Sequence, residues 1–246
     1  MNRQNLLDVA WIGDKWVRKP IRGVVLSFHG LGSPAVKTQP STEELGWAQA
    51  GGLVVYPYYG PWSWMNRQAR ALVNDIVESV YTVYKLGKSV PLVCTGSSMG
   101  GGSSLLYTRY AKRPVAACLA MVPMCDAHYH FNEREDLPRT FRAAFLGYRG
   151  SLKSLLAEHS PLAQVPHLPR IPYQVVMGDK DTAVSKERHA DRMVAAMRKR
   201  KLDVAYIEVP GMGHGGPQPV EVIQRNIAFV VAAWQKHRGS AHSERS

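Results

Sequence analysis

No stretch of this sequence approaches the roughly 18 unbroken apolar residues that a membrane-spanning helix needs, which excludes a helical anchor within it. The opening "MNRQNLLDVAWIGDKW" has no long apolar core followed by a small-residue cleavage site, so no secretory leader is visible. Cysteine is scarce: Cys94, Cys118 and Cys125 are odd in number and show no CxxC spacing, which excludes a disulfide framework and a CxxC metal or redox motif. Cys94 and Cys118 fall in apolar, strand-like runs and are expected as buried thiols, suited to a reducing cytoplasm. Acidic residues are outnumbered, 19 against 31 Lys and Arg, for a formal net charge of +12. Such a balance invites a nucleic-acid partner, but the basic residues are scattered. The one dense run, Arg198 to Lys201, ends a helical pattern where cations meet the negative end of the dipole. No basic stretch is interleaved with aromatics as a base-stacking surface, so no nucleic-acid partner is expected; the charge tilts the protein toward anionic surroundings. Internal repeats and low-complexity segments are also missing.

What is present reads as globular. Of 246 residues, 45% are hydrophobic and 20% charged, and the length suits one α/β domain. Apolar runs alternate with helical patterns, the order expected of a parallel sheet covered by helices. The strands are expected at Gly23–Phe28, "GGLVVYP", "VPLVCT", "VAACLAMVP", "YQVVMG" and "DVAYIEVP", preceded by a hairpin pairing Trp11 and Trp16 through Gly13-Asp14. Ser41 and Glu44 form a capping box for a short helix to Ala50. Ala69, Leu72, Val73, Ile76, Val77, Val80, Val83 and Tyr84 recur at helical spacing, with Gly87 as the stop. Further helices are expected at Met99–Lys112, Lys186–Lys201 and Pro219–His237. Between about 126 and 172 the alternation lapses into a stretch rich in aromatics and prolines, with one helical run "SLKSLLAEH". This is expected to be a lid inserted into a single domain spanning 1–246.

"CTGSSMGGGS", Cys94 to Ser103, follows a strand and precedes a helix. Within it, Gly96-Ser97-Ser98-Met99-Gly100 is a G-x-S-x-G arrangement, whose register makes Ser98 the central residue of a strained strand-to-helix turn. Gly96 and Gly100 remove Cβ atoms that would collide in so sharp a turn, and Gly101 and Gly102 allow the helix to lie close to its strands. The Met99 backbone N–H then stands at a helix N-terminus, where developing negative charge is stabilised.

With these residues the chain resembles the α/β-hydrolase fold family from about Gly23 to Trp234. The resemblance implies a mostly parallel central sheet with helices on both faces. "LSFHGLG" is similar to that family's oxyanion loop; the resemblance makes the Leu31 N–H the second oxyanion donor beside Met99, with His29 a structural residue of the loop. "MGDKDTAVS" resembles the acid loop, implying Asp181 as the acid, with Asp179 and Asp126 as rivals. "VPGMGHGG" resembles the histidine loop, implying His214 as the base. The order Ser98, Asp181, His214 is the order of these hydrolases. "GSSMGG", "HSPLAQV" and "GDKDTAV…PGMGHGG" carry a finer likeness to the catalytic domain of the prolyl oligopeptidase family and its small esterase relatives. The sequence departs from that family in having no propeller domain, and in reading His-Gly-Leu-Gly where many relatives have His-Gly-Gly.

The implied activity is hydrolysis of carboxylic esters through a Ser-His-Asp triad and an acyl-enzyme, without metal or organic cofactor, on a small-molecule ester. A prolyl-oligopeptidase-like peptidase or amidase is the alternative, and a non-catalytic binding protein of the same fold a third possibility. The cluster "YPYYGPWSW" follows a strand's C-terminal end, where open α/β sheets bind ligands. Tyr58, Tyr59, Trp62 and Trp64, together with Phe141 and Phe145 of the insertion, are candidates for lining an acyl or aryl pocket. "CDAHYHFNERED" gathers Asp126, His128, His130, Glu133 and Asp136. An H-x-H pair binds metal when it lies on a strand, but this stretch falls in the irregular insertion, so a polar lid segment is favoured over a metal site.

Overall fold

The computed structural model describes residues 1–243, with side chains up to Gln235. Its strands are β1 (Ala10–Ile12), β2 (Gly23–Phe28), β3 (Gly52–Pro57), β4 (Leu92–Ser97), β5 (Val115–Met121), β6 (Tyr173–Gly178) and β7 (Val204–Val209). Among the described residues they form one sheet in the order β1-β3-β2-β4-β5-β6-β7, with β1 antiparallel to β3 and every other pair parallel. β2 is buried along its whole length, as a central parallel strand covered on both faces must be. Successive side chains feed opposite cores: Val24, Leu26 and Phe28 enter one apolar cluster and Val25 the other.

The helices are α1 (Arg3–Val9), α2 (Thr42–Gln49), α3 (Arg67–Val83), α4 (Met99–Tyr110), α5 (Ala127–His130), α6 (Leu137–Ala144), α7 (Leu152–Glu158), α8 (Pro161–Gln164), α9 (Arg192–Lys199) and α10 (Val220–Ser243). None of those searched is long and apolar enough to cross a membrane. α3 and α4 cover one face; Trp47 of α2 and Trp234 of α10 fill the other. The α2 capping box forms as expected, with Ser41 Oγ accepting from the Glu44 N–H and the Glu44 carboxylate accepting from the Ser41 N–H. All three cysteines are free and buried.

Three local expectations fail. Trp11 and Trp16 do not form a hairpin. Only Ala10–Ile12 is extended, paired with β3, and the chain turns so that Trp16 rests against Trp11 at 5.4 Å. The open edge of β3 is a better partner than the chain's own next residues. α1, which precedes this strand, starts at a capping residue: the Asn2 side chain accepts from the Asn5 N–H as an N-cap. α3 stops before Gly87; Lys85 takes the left-handed position (φ 52°), and the Leu86 N–H closes on Tyr81 O at 2.8 Å. The helix expected from Lys186 begins instead as a π turn over Glu187–Asp191 that carries the fully buried His189.

The insertion, α5 to α8, packs its phenylalanines inward. Phe141 stacks on Trp64 at 4.1 Å and Phe145 lies 4.6 Å from His159. Arg67 grips Glu158 with two bonds of 3.0 and 2.6 Å, and the Asn66 amide donates to Ala144 O. Arg70 donates to His159 Nε2 at 2.8 Å while His159 Nδ1 donates to Leu155 O at 2.7 Å, fixing a neutral imidazole. Burial first, and the Arg70 charge as well, drag this histidine from 6.5 down to about 4. The unfolded chain therefore binds the proton more readily, so stability falls as pH drops through this window. The loss should reach about 2 kcal/mol by pH 5. Urea melts at pH 7 and pH 5 should show a smaller pH-dependent loss in His159→Gln than in the parent protein. Equal losses in the two would refute the assignment.

Candidate active site

Ser98 joins β4 directly to α4 with φ 60° and ψ −123°, a conformation that L side chains rarely adopt. Bonds to neighbouring backbone hold it there: Ser98 N–H donates to Met121 O at 3.0 Å, and Ser98 O accepts from Met124 N–H at 3.2 Å. The flanking glycines are steric necessities. A Cβ at Gly100 would lie 2.2 Å from Phe28 O, and one at Gly96 would lie 2.4 Å from Gly100 O. Gly101 and Gly102 likewise bring the helix onto the backbone of Met121 and Met124, at 2.7 and 2.3 Å from where a Cβ would stand.

His214 reaches Ser98 from the loop after β7. Its Nε2 lies 2.8 Å from Ser98 Oγ, and its Nδ1 lies 2.7 Å from Asp181 Oδ2. The Asp181 side chain is fully buried; its other oxygen accepts from the Ala183 and Val184 N–H groups at 3.0 and 2.9 Å. With Asp181 accepting at Nδ1–H, Nε2 is left as the acceptor for the serine hydroxyl. Asp179 does other work: its carboxylate accepts from the Gly211 N–H at 2.6 Å and so shapes the histidine loop. Gly178 lets that loop close on the acid strand, since a Cβ there would stand 2.0 Å from Met212 O. Asp126 caps α5 and pairs with Arg192, taking no part in the Ser98–His214–Asp181 chain.

The Leu31 loop closes the other side. A Cβ at Gly30 would be 3.9 Å from Ser98 Cβ, so loop and serine are neighbours. Among the described residues neither the Leu31 N–H nor the Met99 N–H has a hydrogen-bond acceptor. His29 is buried, its ring 4.1 Å from that of Tyr59, and burial holds its pKa below the ordinary value. It is a residue of the loop's interior. Tyr59 anchors the same loop by donating its hydroxyl to His29 O at 2.7 Å, and the Gly32 N–H donates to Pro61 O at 2.8 Å. No local sequence signal announced this tie, because its partners stand about thirty residues apart in the chain.

Of the aromatics expected to line a pocket, Tyr58 and Trp62 are exposed, at 42% and 49%. Trp62 borders a cavity of about 470 Å³ beside the start of α3, and Tyr58 a groove of about 790 Å³ shared with Trp11 and Trp16. Tyr59 edges the smaller cavity but turns its hydroxyl inward. Trp64, Phe141 and Phe145 are core residues and cannot line an open pocket. The insertion must bury its own phenylalanines, and Trp64 packs beneath them on Phe141. The metal candidates of the insertion also rearrange: the ligand-capable atoms of His130, Glu133 and His189 lie within 4.8 Å of one another, while His128 is exposed.

The fold recurs in solved structures. The chain superposes on a puromycin-hydrolyzing peptidase of Mycobacterium tuberculosis with TM-score 0.71 and 17% identity, covering 89% of this chain and 35% of that one. It superposes on esterase B of Lactobacillus rhamnosis with TM-score 0.67 and 13% identity, covering 93% and 80%. An S-formylglutathione hydrolase of Agrobacterium tumefaciens gives TM-score 0.68 and 14% identity, covering 93% and 87%. The chain thus spans about a third of the peptidase's length and most of each of the other two. No curated protein sequence matches it. The sheet and helices are those of the α/β-hydrolase fold. Residues 63–240, which carry Ser98, Asp181 and His214, match the prolyl oligopeptidase family, and the chain belongs to that family.

Proposed function

We propose that the chain is a serine hydrolase of carboxylic esters, with Ser98 as nucleophile, His214 as base and Asp181 as the acid that orients it. The observation that carries this reading is the unbroken hydrogen-bond chain from Ser98 Oγ through both imidazole nitrogens to Asp181. Serine is a weak nucleophile without an adjacent base. His214 Nε2 takes its proton as Oγ attacks the ester carbonyl, and the Leu31 and Met99 N–H groups receive the oxyanion. Collapse expels the alcohol, which takes the proton back from His214. Water, deprotonated by the same nitrogen, then frees the acid and restores Ser98. Losing one oxyanion donor in such a site costs about 10²–10³ in turnover.

Esters are favoured over peptides by what surrounds the site. A peptidase that grips a free amino terminus needs an acid facing the site; of the insertion's candidates Glu133 is engaged by His130, His189 and Ser185 and Asp136 by Arg134, while Glu135 is a solvent-exposed residue. The exposed rings of Tyr58 and Trp62 offer apolar surface instead. The substrate is a small-molecule ester, and neither nucleic acid nor membrane is a partner. The insertion at 126–172 serves as the lid of this single domain, tied to its body through Asn66 and Arg67, and three buried thiols suit the cytoplasm. Family membership favours the alternative, a prolyl-oligopeptidase-type peptidase or amidase. A panel of p-nitrophenyl esters of rising acyl length, run beside Xaa-Pro and aminoacyl anilides, separates the two. Short esters are expected to be turned over faster than any anilide. Trp62→Ala should change the ratio between long and short esters more than it lowers the acetate rate. A preference for an Xaa-Pro anilide would favour the peptidase.

A further inference from the structure

Glu133, in the insertion, is in hydrogen-bond contact with the loop that carries Asp181. One carboxylate oxygen, Oε2, accepts from His130 Nδ1 at 2.5 Å and from His189 Nε2 at 2.9 Å. The other, Oε1, accepts from the Ser185 backbone N–H at 2.9 Å. Ser185 directly follows Ala183 and Val184, whose N–H groups hold Asp181 Oδ1. His189 in turn accepts at Nδ1 from the Cys125 and Asp126 N–H groups, both at 3.0 Å, where the chain leaves β5. The half-buried carboxylate thus joins the end of β5, the insertion and the acid loop.

His130, Glu133 and His189 have the donor types of a zinc site, but the hydrogen bonds fix a different chemistry. Two backbone N–H groups point at His189 Nδ1, so that nitrogen carries the lone pair and Nε2 carries the proton. A proton-bearing Nε2 donates to Glu133 and has no lone pair for a metal. The three bonds to the carboxylate, with His130 first, hold Glu133 well below the usual carboxylate range.

We infer that Glu133 is a positioning residue for Asp181, setting the height of the acid loop and through it the orientation of His214. This inference rests on the triad described above. Glu133→Gln tests it sharply. The amide must aim its NH₂ either at the Ser185 N–H or at the proton-bearing His189, and the His189 tautomer cannot invert to receive it. A displacement of the acid by about 1 Å can cost on the order of 10²-fold in rate. The variant should therefore lose kcat by about 10–100-fold with KM for a short ester nearly unchanged. In the resting protein, the downfield proton resonance of His214 Nδ1–H, assigned by its loss in His214→Asn, should shift or broaden. Asp136→Asn alters an acid of the same insertion that pairs with Arg134 instead of the acid loop, and should leave both kcat and that resonance in place. If Glu133→Gln does not fold, Glu133→Asp keeps the charge, shortens the reach by one methylene and carries the same readouts. An unmoved resonance with unchanged kcat would overturn the inference, as would stoichiometric binding of zinc that perturbs both histidines. The resonance needs no turnover, so its response stands apart from the fate of the esterase reading, which Ser98→Ala tests.

Discussion

Ser98→Ala should abolish turnover of every ester the protein accepts, by on the order of 10⁴–10⁶-fold in kcat, while its melting temperature stays close to that of the parent. The expectation is specific because the change removes a single oxygen. The Ser98 backbone bonds to Met121, Met124 and Gly102 remain, and alanine has a Cβ no larger than the one already tolerated at φ 60°. A fluorophosphonate probe should label Ser98 and spare Ser97, which closes the β4 ladder, and Ser103 and Ser104, which are buried. Labelling of Ser97 would move the nucleophile by one residue and undo the register of the whole site.

Asp181→Asn should cut kcat by about 10⁴-fold with little change in KM, and the reason lies in its two oxygens. Oδ1 already accepts two backbone N–H groups, so an asparagine must place its carbonyl there and turn its NH₂ toward His214. His214 then has to accept at Nδ1 and carry its proton on Nε2, where it faces Ser98 and cannot take the serine's proton. Asp179→Asn keeps an acceptor for the Gly211 N–H and should cost less than about tenfold. Asp126→Asn breaks the pair with the half-exposed Arg192 and should leave the rate nearly intact. A large loss at Asp126 or Asp179, with Asp181→Asn active, would give the acid role to a different loop.

The serine turn was legible because its constraints are local. The glycines around Ser98 record a turn in which a Cβ would stand 2.2 Å from a neighbouring carbonyl, and that constraint is written where it acts. The strands were legible for a similar reason: "GVVLSF" and "YQVVMG" are mostly apolar because they are buried along their whole length, both faces being covered. Aromatic residues misled. A tryptophan in a loop reads the same whether it lines a cleft, as Trp62 does, or stacks under an insertion, as Trp64 does on Phe141.

By itself, then, the sequence determined the main alternation of strands and helices and the serine turn; Asp181 and His214 were implied by family resemblance, with Asp179 and Asp126 as rival acids until the fold set Asp181 against His214. Tertiary structure alone decided the rest. It paired β1 with the edge of β3 rather than with its own sequel, turned Tyr59 from a pocket wall into the anchor of the Leu31 loop, and made Glu133 a link between segments about fifty residues apart. The physical reason is common to all three. A turn or a cap is fixed by groups a few residues apart, which composition and spacing reveal. A buried donor or acceptor must instead find its partner wherever the fold brings one, and that choice leaves no mark near the residue itself.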